Sequence, residues 1–175
     1  LTNLVDDLLV ISKMESHEEI AEMTIFEINP FIQQIIHDLN SLIIKKQHTV
    51  NQQLSLDLPM IKADLKLLER ALVNLIENAV KYTPPGGNIL VRTQKDHGNI
   101  IIEVIDTGIG IPEENFSRLF ERFYRVDKSR SREMGGTGLG LSIVKHIAQL
   151  HQGSVSVRSQ VGSGSTFSLK IPVNS

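Results

Sequence analysis

The sequence predicts an α+β fold: a two-layer α/β sandwich whose helices cover one face of a single mixed sheet, preceded by a short helix. Three observations predict it. Phe31, Ile32, Ile35, Ile36, Leu39, Leu42 and Ile43, and then Leu65, Leu68, Leu72, Leu75, Ile76 and Ala79, repeat at helical spacing and give two helices one apolar stripe each. Residues 89–94 and 100–105 are β-branched runs around Asp96-His97-Gly98-Asn99, a hairpin pattern. Residues 154–159 and 166–171 repeat that pattern across Gly162 and Gly164.

Each element has its own signal. Leu1, Leu4, Leu8 and Ile11 follow the a/d rhythm of a bundle seam. Residues 1–18 therefore read as the last turns of a dimerisation helix, or equally as a short helix packing on its own domain; residues 19–175 form the main domain. Residues 23–28 alternate as an edge strand, and Asn29-Pro30 offers an N-cap and a first helical residue. Residues 49–56 and 60–63 read as strands, and Asp64 is placed to cap the following helix. Pro84-Pro85-Gly86-Gly87 enforces a turn. Residues 141–150 form a helix with Ile143, Val144, Ile147 and Leu150 on one side, ended by Gly153.

Composition excludes several classes. The chain has 175 residues, is 41% hydrophobic and carries net charge -2, enough for one core and without a basic field for nucleic acid. It has no Cys, hence no disulfide scaffold or thiolate zinc site. No apolar run approaches the roughly 18 residues a membrane span needs. The chain opens on Leu1 within a helical pattern, which predicts a piece of a longer protein with any membrane anchor upstream.

Four segments carry chemistry. Asn74 and Asn78 are four apart, so both amides project from one helix face. A carboxamide oxygen is a neutral hard ligand suited to Mg²⁺; alone, the pair would be two surface asparagines. Asp106 ends an apolar strand, where a carboxylate can accept from the exocyclic amine of adenine, while guanine would set a carbonyl against it. Gly108 and Gly110 let the backbone turn beside a purine. Gly136-Thr137-Gly138-Leu139-Gly140 runs into a helix, whose amides and dipole suit phosphate. It lacks the Gly-Lys-Ser/Thr ending of a Walker loop and the position of a Rossmann loop. Between Pro112 and Gly135 lies a long connection with one helical stretch at 113–123, of a length that is usually a functional lid or disordered.

In order and spacing, residues 74–84, 106–112, 120–125 and 135–141 resemble the ATP-binding domain of sensor histidine kinases, in the Bergerat-fold (GHKL) superfamily with gyrase, Hsp90 and MutL. The resemblance covers nearly the whole chain, nearest the phosphate-sensing and cell-wall-sensing branch with a helical-hairpin dimerisation domain. It implies ATP and Mg²⁺ as cofactors, with Asn78 as metal ligand and Asn74 in support. It implies Lys81 on phosphate, Tyr82 as a pocket wall, and nucleotide contacts from Ile111, Thr137, Leu139 and Leu141. The long connection becomes an ATP lid, anchored by Phe116, Leu119, Phe120 and Phe123, with Arg125 its candidate phosphate cation and Arg122 the second. A salt-bridge role is open for either arginine, as is a core role for Tyr82. Thr166 is implied near adenine.

The implied activity is transfer of the ATP γ-phosphoryl to a histidine of a dimerisation domain and then to a response-regulator aspartate. The phosphoacceptor and its acid/base carboxylate lie outside this chain, since His17 lacks the Leu-Arg-Thr-Pro continuation of that box. Partners would be the dimerisation domain and a receiver domain, in a homodimeric, membrane-anchored bacterial sensor whose catalytic part is cytoplasmic. The rivals are a gyrase-like ATPase or anti-sigma-type serine kinase, and a non-catalytic nucleotide sensor. Asn74 argues against the gyrase-like enzyme, which places a Glu there to activate water. The remaining histidines lack metal spacing, and Asn115-Phe116-Ser117 is a glycosylation pattern without support.

Overall fold

The computed structural model describes residues 12, 21–127 and 136–173. Of the predicted N-terminal helix only Ser12 is among them, helical and exposed; the heptad positions and His17 lie outside the described residues. In chain order the elements are β1 (Met23–Phe26), α1 (Ile28–Asp38), α2 (Asn40–Lys45), β2 (Thr49–Leu54), β3 (Ile61–Asp64), α3 (Leu65–Tyr82), β4 (Asn88–Asp96), β5 (Asn99–Asp106), a 3-10 helix (Glu113–Arg118), α4 (Gly140–Leu150), β6 (Ser154–Gln160) and β7 (Gly164–Pro172).

The predicted hairpins build the sheet, ordered β2-β4-β5-β7-β6. β2 joins β4 in parallel and the other pairings are antiparallel, which makes the sheet mixed. Alternation sorts its faces. Ile89, Val91, Ile100, Ile102, Val104, Phe167, Leu169 and Ile171 are buried in one core with Leu68, Leu72, Leu75 and Ile76 of α3 and Ile143, Val144 and Ile147 of α4. β1 belongs to a separate two-stranded ribbon with β3, additional to the single sheet the sequence predicts.

Four local expectations change. Asn29 does not cap α1, which starts at Ile28 behind Glu27. Its amide donates instead to the Ser55 carbonyl at 2.7 Å and its oxygen accepts from Thr93 Oγ1 at 3.1 Å, so tertiary bonds use both of its polar ends. The helix predicted through residue 43 divides at Leu39 into α1 and α2. The stretch predicted helical at 113–123 is a short 3-10 helix, and Leu65 of the α3 stripe is exposed.

Asp64 caps α3 as expected, accepting from the Leu67 amide at 3.0 Å while its other oxygen accepts from Glu22 N at 2.8 Å. Buried His151 then ties this end to α4. Its Nδ1–H donates to the Ile147 carbonyl at 2.7 Å and its Nε2 accepts from Asp64 N at 3.0 Å, which fixes the neutral tautomer. At the other end, a Cβ on Gly140 would come within 2.5 Å of Asn74 Oδ1. Asp64 beside His151 and Asn74 beside Gly140 make α3 and α4 antiparallel neighbours. On the opposite sheet face Glu103 is only 2% exposed; it accepts from Arg92 Nε at 2.8 Å, Arg158 Nη2 at 3.0 Å and Ser168 Oγ at 3.2 Å.

Candidate functional site

An open cavity of about 1220 Å³ lies beside α3, the end of β5 and the start of α4. Helical spacing supplies one wall: Arg70, Asn74, Glu77, Asn78 and Lys81 stand at i, i+4, i+7, i+8 and i+11 of α3 and all line it. Of the other residues the sequence singles out, Tyr82, Asp106, Gly110, Ile111, Arg125, Gly136, Thr137, Gly138, Gly140 and Leu141 line it too. Residues more than 60 positions apart in sequence therefore share one space.

Asp106 is 6% exposed. Its Oδ1 accepts from Gly108 N at 2.8 Å and Ser165 N at 3.2 Å, so Oδ2 is the oxygen left for a ligand. Burial pushes its pKa above the usual carboxylate value, against the pull of the two amides. Gly110 explains the loop that follows: its φ is +71°, and a Cβ would lie 2.0 Å from the Gln160 carbonyl oxygen.

Lys81 is half-buried, and its pKa is lowered, first by burial and then by the charge of Arg125, with Glu77 opposing. Its Nζ lies 5.3 Å from the Tyr82 ring centroid. Two cations, Lys81 and Arg125, thus line the cavity together with Gly136, Thr137, Gly138 and Gly140 of the glycine loop. Tyr124, also on the wall, donates to Asn115 Oδ1 and stacks under Arg118, whose guanidinium carbon is 4.4 Å from the ring. This fastens the backbone beside Arg125 to the 3-10 helix.

Not every predicted residue reaches the cavity. Thr166 pairs with Ile105 and faces the other side of the sheet, while its neighbour Ser165 pairs with Asp106 and lines the cavity. Strand parity could have shown this, since buried Phe167 puts residue 165 on its own face. Leu139 is fully buried in the core, because it faces inward at the start of α4. Gly108 serves through its amide on Asp106. Arg122 is exposed and not among the described lining residues. Of the expected lid anchors, Leu119 is buried and Phe116 and Phe120 half-buried, but Phe123 is 60% exposed, its backbone in the left-handed region at φ 61°. Sequence reasoning missed Ser165, and also Glu77 and Arg70, which the α3 spacing from Asn74 would have found.

A carboxylate at a strand end, amides on a helix and a glycine loop opening a second helix around one cavity define a nucleotide-binding ATPase domain. The chain belongs to the histidine kinase-, DNA gyrase B-, and HSP90-like ATPase family, whose model matches residues 63–175. It is 39% identical to the sensor-like histidine kinase SenX3 of Mycolicibacterium smegmatis, over 98% of this chain and 44% of that protein. It is also 39% identical to the signal transduction histidine-protein kinase ArlS of Staphylococcus aureus, over 97% of this chain and 37% of that protein. Among solved structures it resembles full-length ShkA in complex with AMPPNP, with 28% identity and a TM-score of 0.86 over 97% of this chain and 35% of that one. The chain thus spans less than half the length of these curated relatives. Fold and family together bear out the expected Bergerat-type histidine kinase catalytic domain.

Proposed function

We propose that this chain is the catalytic and ATP-binding part of a two-component sensor kinase that moves the γ-phosphoryl of ATP to a histidine and thence to a response-regulator aspartate. The observation that carries it is the convergence of Asp106, Asn78, Lys81, Arg125 and the Gly136–Gly140 backbone on one cavity of a histidine-kinase-like fold. Asp106 accepts the adenine amine, and Tyr82, Ile111 and Leu141 wall the nucleotide. Lys81 and Arg125 offset phosphate charge, and the glycine-loop amides at the N-terminus of α4 receive the phosphate chain.

The residues also fit Mg²⁺. Among the described residues no group of three His, Cys, Asp or Glu side chains could cage a metal. A divalent ion would therefore take one amide oxygen, from Asn78 with Asn74 in support, and its remaining ligands from phosphates and water, the habit of Mg²⁺. Bound there, it would neutralise phosphate oxygens.

A histidine nitrogen is already a nucleophile, so the work of this domain is positioning and electrostatics. Partners would be the dimerisation domain carrying the acceptor histidine, which makes the whole protein a homodimer, and a receiver domain. The whole protein would be a membrane-anchored bacterial sensor with this part in the cytoplasm. Among the described residues no helix is long and apolar enough to cross a membrane.

Calorimetry of ATP and GTP with and without Mg²⁺, on the wild type and Asn78→Ala, tests the proposal. Adenine preference and loss of metal dependence in the variant support it; no binding of either nucleotide overturns it. Incubated with labelled ATP, this chain alone should acquire no acid-labile phosphate.

A further inference from the structure

We infer that Ser159, which does not line the cavity, is a positioning residue that turns the purine end of the site into a wall of hydrogen-bond acceptors only, and so selects a base with an exocyclic amine. The inference rests on the nucleotide reading above and adds the element that sets its base selectivity.

Asp106, Ser165 and Ser159 form one row across three strands, since Asp106 pairs with Ser165 and Ser165 with Ser159. Ser159 Oγ has three partners. It accepts from the Ile111 amide at 2.8 Å, stands 2.8 Å from the Gly164 carbonyl oxygen and 2.9 Å from Ser165 Oγ. A serine hydroxyl carries one hydrogen. The Gly164 oxygen can only accept, so the Ser159 hydrogen goes there. At 2.9 Å the hydrogen between the two hydroxyls must then come from Ser165.

Ser165 lines the cavity beside Asp106 and is itself buried. With its hydrogen committed to Ser159, it presents lone pairs alone to a ligand. Asp106, ionised, presents the same. An amine with two hydrogens can serve both acceptors, directly or through one water. A 6-oxo purine sets a carbonyl against both, and Ser165 cannot turn to donate while Ser159 holds it. Ser159 also fastens the Asp106–Ile111 loop to the β6–β7 hairpin, so the wall keeps its shape.

The test compares ATP with inosine triphosphate, in which a 6-oxo group replaces the amine, by calorimetry on this chain with Mg²⁺. Wild type should favour ATP. Ser159→Ala frees the Ser165 hydroxyl to donate, and the ratio of the two dissociation constants should narrow about tenfold through tighter inosine triphosphate binding, the scale of one hydrogen bond gained. Ser159→Thr, which keeps the hydroxyl, should keep the wild-type ratio. Ser165→Ala should itself narrow the ratio, and adding Ser159→Ala to it should change the ratio no further.

A purely structural Ser159 would weaken both nucleotides equally in Ser159→Ala, and that result overturns the inference. Should Ser159→Ala not fold, an unchanged ratio in Ser165→Ala overturns it instead. Wild type that binds ATP and shows no preference sinks the inference alone; wild type that binds neither nucleotide sinks the nucleotide reading as well.

Discussion

Replacing Asp106 by Asn isolates base recognition from folding. Two amides at 2.8 and 3.2 Å hold Oδ1. An amide nitrogen there would set donor against donor, so the Asn oxygen must take that position and its NH2 group must take that of Oδ2. Adenine then meets a donor where it had an ionised acceptor. Losing a charge-assisted hydrogen bond and leaving two donors opposed costs about 3–4 kcal/mol, or roughly 10²- to 10³-fold in ATP affinity. GTP, whose 6-oxo group can accept from the new NH2, should bind at least as well as to wild type, so the ATP preference collapses.

Stability should hardly fall, because burial already disfavours the charge of Asp106. With its folded pKa above 3.8, the native state binds the extra proton between 3.8 and the raised value, so the stability cost is present above that window and is relieved as pH falls through it. Asp106→Asn should flatten that acid limb. Calorimetry with both nucleotides and thermal unfolding between pH 3 and 7 check it. A folded variant that keeps ATP affinity within about threefold of wild type would refute the reasoning, since a lost charge-assisted bond alone is worth more.

Lys81→Met should leave thermal stability of the free chain unchanged or higher, because burial and Arg125 both disfavour the ammonium, while ATP affinity drops about tenfold or more. For the same reason the free wild type should gain stability as pH rises from the lowered Lys81 pKa toward 10.5, and ATP binding in that window should take up a proton, visible as buffer-dependent heat. Glu103→Ala leaves Arg92 and Arg158 without their shared carboxylate. Both guanidinium groups reach water, so urea unfolding should show a loss of about 2–3 kcal/mol, below that of a fully buried pair, with ATP affinity retained. Asp64→Ala removes the α3 cap and the acceptor of Glu22 N, and should cost about 1–2 kcal/mol by the same measurement.

The architecture was legible wherever periodicity is local. The α3 stripe from Leu68 onward, the β4–β5 hairpin and the Asp64 cap each depend on residues a few positions apart, and each formed as expected. Long-range bonds were not legible. Asn29 carries a good capping signal, but Ser55 and Thr93 claim both ends of its side chain, and nothing near Asn29 announces them. The two-stranded ribbon was hidden likewise, because pairing of Met23 with Asp64 joins residues that local pattern cannot relate. At the site, residue types and order located the cavity, while side-chain facing decided membership. Thr166 and Ser165 differ by one step along a strand, and that step moves a hydroxyl through the sheet. Leu139 sat inside the motif yet turned into the core.

His151 gives α3 and α4 a common anchor away from the cavity lining. From there the two helices run side by side, packed through Leu68, Leu72, Leu75, Ile143, Val144 and Ile147, with Asn74 against Gly140 where α4 begins. One neutral imidazole deep in the protein thus anchors the two helices of which one carries Lys81 and the other starts at the glycine loop.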